Sequence, residues 1–258
     1  LLPLFFFPSS FSPLLLPVCA FAGPGYWTQE SAHLLPGGRG ELMLIGPSRY
    51  AFRERVELGV GLFAFAALPS AQLKWALPDQ PERGGRQWSV AVRYRVLLPG
   101  LIYQLTTAEA PLGASSWLDV VAFDTDMMMT RLVPDGLWSV HVGGVLALYG
   151  ASSGAPPYLQ EGSPLLLWHR APLGAAARSG WGVRGGVSRR QYMGRDGWFV
   201  QGEGALHLFP SLRQVGLELD ARVGLERRHL FLAFGARTAS DGARFETLPV
   251  VEFGVAFE

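Results

Sequence analysis

Thirteen residues decide the fold: Gln214-Val215-Gly216-Leu217-Glu218-Leu219-Asp220-Ala221-Arg222-Val223-Gly224-Leu225-Glu226. One parity is wholly apolar, Val215 to Leu225, and the other holds Glu218, Asp220, Arg222 and Glu226. On a helix those charges would scatter around the circumference, so a period of two requires a strand whose faces meet different surroundings. Its length matters as well. Ordinary strands average ~5–6 residues, whereas a tilted bilayer-crossing strand needs ~9–11.

The same grammar recurs. Val56, Leu58, Val60, Leu62 and Ala64 oppose Arg55, Glu57, Gly59 and Gly61, and Trp88, Val90, Val92, Tyr94, Val96 and Leu98 oppose Ser89, Ala91, Arg93 and Arg95. Alternation and turn residues place strands near 40–46, 54–66, 71–78, 88–98, 101–109, 117–130, 137–149, 180–190, 197–209, 214–226, 229–239 and 247–257. The expectation is an all-β, antiparallel up-and-down transmembrane barrel of about twelve strands, within a range of about ten to fourteen. Long joins (78–87, 109–116, 150–179, 240–246) are read as alternating with short ones (68–70, 99–100, 227–228).

Composition agrees. Hydrophobic residues make up 49% and charged residues only 17%, against ~25% in soluble domains, so much apolar surface need not face water. A net charge of +1 offers no basic field and gives nucleic acid no support as a partner. A single cysteine, Cys19, excludes an intramolecular disulfide and a cysteine-cluster metal site. Residues 1–22 are almost free of polar side chains and end in Ala20-Phe21-Ala22, which reads as an export signal truncated at its start. Residues 23–39 are then a periplasmic N-terminal segment and 40–258 the barrel, in the bacterial outer membrane.

Trp88, Trp117, Trp138, Trp181 and Trp198 each fall near a predicted strand start, where an indole can lie in apolar surroundings with its N–H among head groups. They are the expected membrane-interface anchors, with outer-membrane lipid as the partner.

At the C-terminus, Val251, Phe253, Val255 and Phe257 share one face. This resembles the terminal strand that bacterial outer-membrane barrels present to the barrel-assembly machinery, which the resemblance implies as a second partner, although Glu258 follows the usual terminal aromatic. The segments Glu57-Leu58-Gly59-Val60-Gly61-Leu62, Leu73-Lys74-Trp75 and Val90-Ala91-Val92-Arg93-Tyr94 are similar to transporter-like outer-membrane barrels of the phenol-degradation type. The resemblance implies a transport role and no particular substrate.

Catalysis is the lesser alternative. Asp124 and Asp126 share a face and could share a proton or position a water, and Ser139 and His141 also share one. The lipid A deacylases use the order His-x-Ser, the reverse of this chain's. Glu203 and His207 share a face at ~13 Å, too far apart for one metal. No catalytic residue, metal or cofactor is assigned. The expected functional surface is the inward parity of Arg93, Arg95, Asp124, Asp126, His141, Arg184, Glu203, Glu218, Asp220, Arg222, Glu226 and Arg237, with mixed charge that either closes a lumen or selects a small solute crossing it passively. A closed barrel that binds a surface partner through 150–179 is the competing expectation.

Overall fold

The computed structural model describes residues 31–43, 47–61, 70–78, 88–98, 120–149, 179–194, 196–240 and 245–257. Twelve strands occur in order: β1 (Gly40–Met43), β2 (Ser48–Arg53), β3 (Val56–Val60), β4 (Ser70–Ala76), β5 (Trp88–Leu97), β6 (Val120–Val133), β7 (Gly136–Tyr149), β8 (Trp181–Met193), β9 (Trp198–Phe209), β10 (Gln214–Arg227), β11 (Leu230–Ser240) and β12 (Phe245–Phe257). Each pairs antiparallel with its sequence neighbours, and β1 pairs with β12, so the sheet closes on itself. Closure joins the first strand to the last, so the sheet has no free edge strand.

Parity becomes inside and outside. On β10, Val215, Leu219 and Val223 stand about half exposed while Glu218, Asp220, Arg222 and Glu226 are buried. Around the wall the outward set includes Leu58, Leu73, Tyr94, Phe123, Val142, Val187, Leu206, Phe234 and Val251, a continuous apolar surface far beyond the few hundred Å² usual on a soluble monomer. Val251, Phe253, Val255 and Phe257 all belong to it.

The strand count agrees with the sequence reading, but its membership differs. Ser48–Arg53 forms β2, which the sequence reading takes for a join, and Glu54 and Arg55 make the tight turn into β3 instead of opening a strand. The strand expected at 101–109 lies outside the described residues, and β5 pairs directly with β6. These shifts exchange the ends of two joins: 68–70, read as a short join, lies between β3 and β4 at the end opposite the tight turns. The connection between β4 and β5 emerges at the same end as the two-residue turns 54–55, 134–135 and 228–229, not among the long joins.

That tight-turn end carries a girdle. Trp138 and Trp198 face outward near the starts of β7 and β9, and so does Trp75 near the end of β4, which the sequence reading leaves out. Trp88 begins β5 on the outward parity and is half-buried. It pairs with Arg131, Arg131 with Trp138, and Trp138 with Arg189, whose guanidinium lies 4.9 Å from the Trp138 ring. Indole and guanidinium alternating along one row suits a layer where acyl chains meet phosphates. Trp181 stands at the opposite end, and Trp117 lies outside the described residues.

Substitution tests the two faces. Leu219→Arg puts a charge on the outer wall in the middle of β10 and is expected to cost about 2–4 kcal/mol in a bilayer. Glu218→Gln keeps hydrogen-bonding atoms toward the interior and should still assemble. Urea titration in lipid vesicles reads both, and equal tolerance would overturn the assignment of faces.

Candidate functional site: the charged lumen

An inward charge has no lipid, and almost no water, to solvate it, so each must find partners on neighbouring strands. Register supplies them. Arg93 of β5 lies opposite Asp126 of β6, Asp126 opposite Gly143 of β7, and Gly143 opposite Arg184 of β8. Arg93 pairs directly with Asp126, and Arg95 donates through Nε to Asp124 Oδ2 at 3.0 Å. Arg184 reaches over β7: its Nε donates to Asp126 Oδ1 at 2.8 Å and its Nη2 to Asp124 Oδ1 at 2.8 Å.

Gly143 makes that reach possible. A Cβ there would overlap the Thr125 carbonyl oxygen and the Asp126 carboxylate. The same device serves the opposite wall, where Arg222 lies opposite Gly235 of β11 and its Nη1 meets Glu252 Oε1 of β12 at 2.8 Å. A Cβ at Gly235 would strike the Ala221 carbonyl. Inward glycine thus provides the gap through which a long guanidinium joins next-nearest strands.

The second cluster gathers Asp220, Arg222, Arg237, Glu218 and His207. Arg222 donates to Asp220 at 2.6 Å through both Nε and Nη2, and Arg237 Nε lies 2.9 Å from Asp220 Oδ2 and 3.3 Å from Glu218 Oε1. Glu218 Oε2 is 3.2 Å from His207 Nε2. Asp220 and Glu203 stand directly opposite one another, a repulsive placement offset by the two arginines on Asp220, and His141 Nε2 stands 4.0 Å from Glu203. Toward the tight-turn end, Arg190 joins Gln201 at 2.9 Å and Glu226 at 3.0 Å. Its guanidinium lies 4.7 Å from the Phe199 ring centre, and Phe231 stacks on Phe199. A third cluster links Arg49 to Glu41 and Glu57.

All the expected lumen residues face inward, including His141 and Glu203. Several partners escape the sequence reading: Arg49, because β2 is taken for a join; Glu41, Lys74, Arg190 and Glu252, because no pattern says which inward charges meet. The catalytic alternatives separate. Arg184 stands against both Asp124 and Asp126, so a cation bridges the pair that would otherwise share a proton. Ser139 lies 2.7 Å from Thr130 Oγ1, while His141 faces Glu203. Among the described residues no three His, Cys, Asp or Glu side chains converge as a metal would need.

The interior is polarised across its width. Among the described inward residues, β4 to β8 carry Lys74, Arg93, Arg95, Arg184 and Arg190 against Asp124 and Asp126. β9 to β12 carry Glu203, Glu218, Asp220, Glu226 and Glu252 against Arg222 and Arg237. β4 to β8 are thus net positive, and the arc from β9 through β12 to β3, where Glu41 and Glu57 stand against Arg49, is net negative.

Gly143→Ala is expected to destabilise the barrel by about 1–3 kcal/mol, since the new methyl meets backbone that cannot yield. Gly202→Ala, where a Cβ meets nothing within 4 Å, should be neutral or stabilising by up to ~1 kcal/mol. Paired thermal melts in detergent decide between this and a generic loss at any glycine. No family model and no curated protein sequence matches the chain.

Proposed function

We propose that the protein resides in the bacterial outer membrane and gives small polar solutes a passive, gated path through its charged lumen. The observation that carries this reading is the contrast between an apolar outer wall and an interior of paired charges. A barrel needed only as a scaffold would gain by filling its interior with apolar side chains, since replacing buried ion pairs that way is often neutral or stabilising. Retained charge of both signs, with a net positive excess on one wall and a net negative excess on the other, instead suits a solute that carries a dipole and can exchange ion pairs one at a time. The phenol-degradation resemblance supports transport in general, and the polarity of the lumen favours dipolar over apolar cargo.

Gating follows from exposure. Asp126 is 1% exposed and Arg93 4%, so solute passage needs the guanidinium bridges to part. The same tightness favours a second reading, a permanently closed barrel that works through its surface.

Folded in detergent, the protein should run faster on electrophoresis unboiled than boiled; a soluble β protein would show no such shift. Planar-bilayer recording should then give discrete conductance steps, and proteoliposomes should swell faster in a zwitterionic amino acid than in an apolar solute of equal size. Absence of conductance both in the full chain and after deletion of 151–178 would leave the closed barrel.

A further inference from the structure

A chain leading into the first strand of a barrel ordinarily runs over the surface, where water satisfies its backbone. Residues 31–35 run inside, and Pro36, Gly37 and Gly38 turn out to the exposed rim before Arg39. Ser31, Ala32, Leu35 and Arg39 are buried at the tight-turn mouth. The wall holds them by their main chain: the Ala32 N–H donates to Thr130 Oγ1 at 2.7 Å, the Leu35 N–H donates to Glu57 Oε2 at 3.2 Å, and the His33 carbonyl accepts from Lys74 Nζ. These groups come from β6, β3 and β4. Two side chains are enclosed as well, Ala32 against Ala91 and Met128, and Leu35 at 1% exposure, with Leu34 packing on the first group.

The segment leaves by a designed bend. The Arg39 N–H donates to the Pro36 carbonyl at 3.0 Å, and Gly38 sits at φ +83°, a conformation glycine tolerates and side chains resist. The Gly38 N–H then bonds the Ala51 carbonyl and Arg39 reaches the Arg228 carbonyl, so the chain enters β1 already paired.

A buried carboxylate, ammonium and hydroxyl that each bind a peptide group are costly equipment for fixing a leading segment. They match how extended peptides are recognised generally, with main-chain hydrogen bonds for affinity and alternate enclosed side chains for choice. We propose that the tight-turn mouth is a binding site for an extended peptide, and that this chain's own residues 31–39 are its resident, exchangeable ligand. The site accepts N–H, C=O and N–H in succession, with a small residue at the Ala32 position and a leucine-sized one at the Leu35 position. Withdrawal of the segment uncovers the site and opens that mouth. The inference stands whether or not a solute crosses the lumen.

The test uses the full chain with Leu35→Asp, which sets a carboxylate beside Glu57 and should expel the segment while leaving the wall untouched. A fluorescein-labelled peptide of residues 31–39 is the probe. It should bind the Leu35→Asp barrel at least about tenfold more tightly than the original barrel, and adding Glu57→Gln or Lys74→Met should remove about tenfold, as expected for one hydrogen bond to a charged group. Equal binding to both barrels, or none to either, overturns the proposal. Should Leu35→Asp fail to fold, Ala32→Cys in a Cys19→Ser chain keeps the question open to measurement: maleimide labelling should be slow in the folded barrel and accelerate when excess unlabelled peptide competes for the mouth. Labelling as fast as in urea, or slow labelling that the peptide leaves unchanged, also overturns it.

Discussion

Everything in this barrel depends on a seam four residue pairs long. Among the described residues β1 meets β12 through Gly40–Phe257, Glu41–Ala256, Leu42–Val255 and Met43–Gly254, whereas β10 and β11 share eleven pairs. Without it the sheet would offer two open edges, each a row of unpaired N–H and C=O groups. The seam is reinforced by what surrounds it. The Phe257 ring covers Gly40 on the outside, Arg49 pairs with Glu41 on the inside, and the 36–39 bend delivers the chain to the first pair. A short strand is thus fixed by side chains and a turn where its own ladder is too brief to suffice.

Closure also creates the electrostatic problem that the interior solves. Once the sheet shuts, an inward carboxylate is removed from lipid and nearly from water, and its cost is met only by a partner with matching geometry. Adjacent-strand pairing meets part of it, as Arg93 with Asp126 shows. The remainder needs reach across an intervening strand, which a guanidinium has and which only a missing side chain permits. Gly143 and Gly235 are therefore explained less by backbone freedom than by the arginines that pass over them. The high glycine content acquires a specific cause at those two rows.

The periodicity was enough to read both faces of β10, the inward charges of β5 to β11 and the outward face of β12, because one residue's parity fixes its neighbours'. β2 escaped because Pro47 and the flanking Arg49 and Arg53 look like a polar join, although Tyr50 and Phe52 already alternate with Arg49 and Ala51. The partner of each charge could not be read. Whether Arg184 meets Asp126 depends on a register of three strands far apart in sequence, and no local pattern encodes it. The lodging of 31–39 was equally hidden, since the wall grips peptide groups that every residue possesses. Trp75 was overlooked for a simpler reason: it closes a strand instead of opening one.

The near absence of lysine also acquires a structural consequence. Of 22 basic residues only Lys74 is lysine. Inside the barrel the two residue types do different work. Arg184 presents Nε and Nη2 in a rigid plane and satisfies carboxylates at two successive inward positions of one strand, and Arg237 does so for Asp220 and Glu218. An ammonium is a point donor on a flexible stem and could not hold two carboxylates in fixed geometry. Lysine stands instead opposite Glu57, where its ammonium donates to a main-chain carbonyl, that of His33. Whatever set the composition, the fork belongs where strands must be tied to one another, and the single point charge belongs where a peptide must be held and can be released.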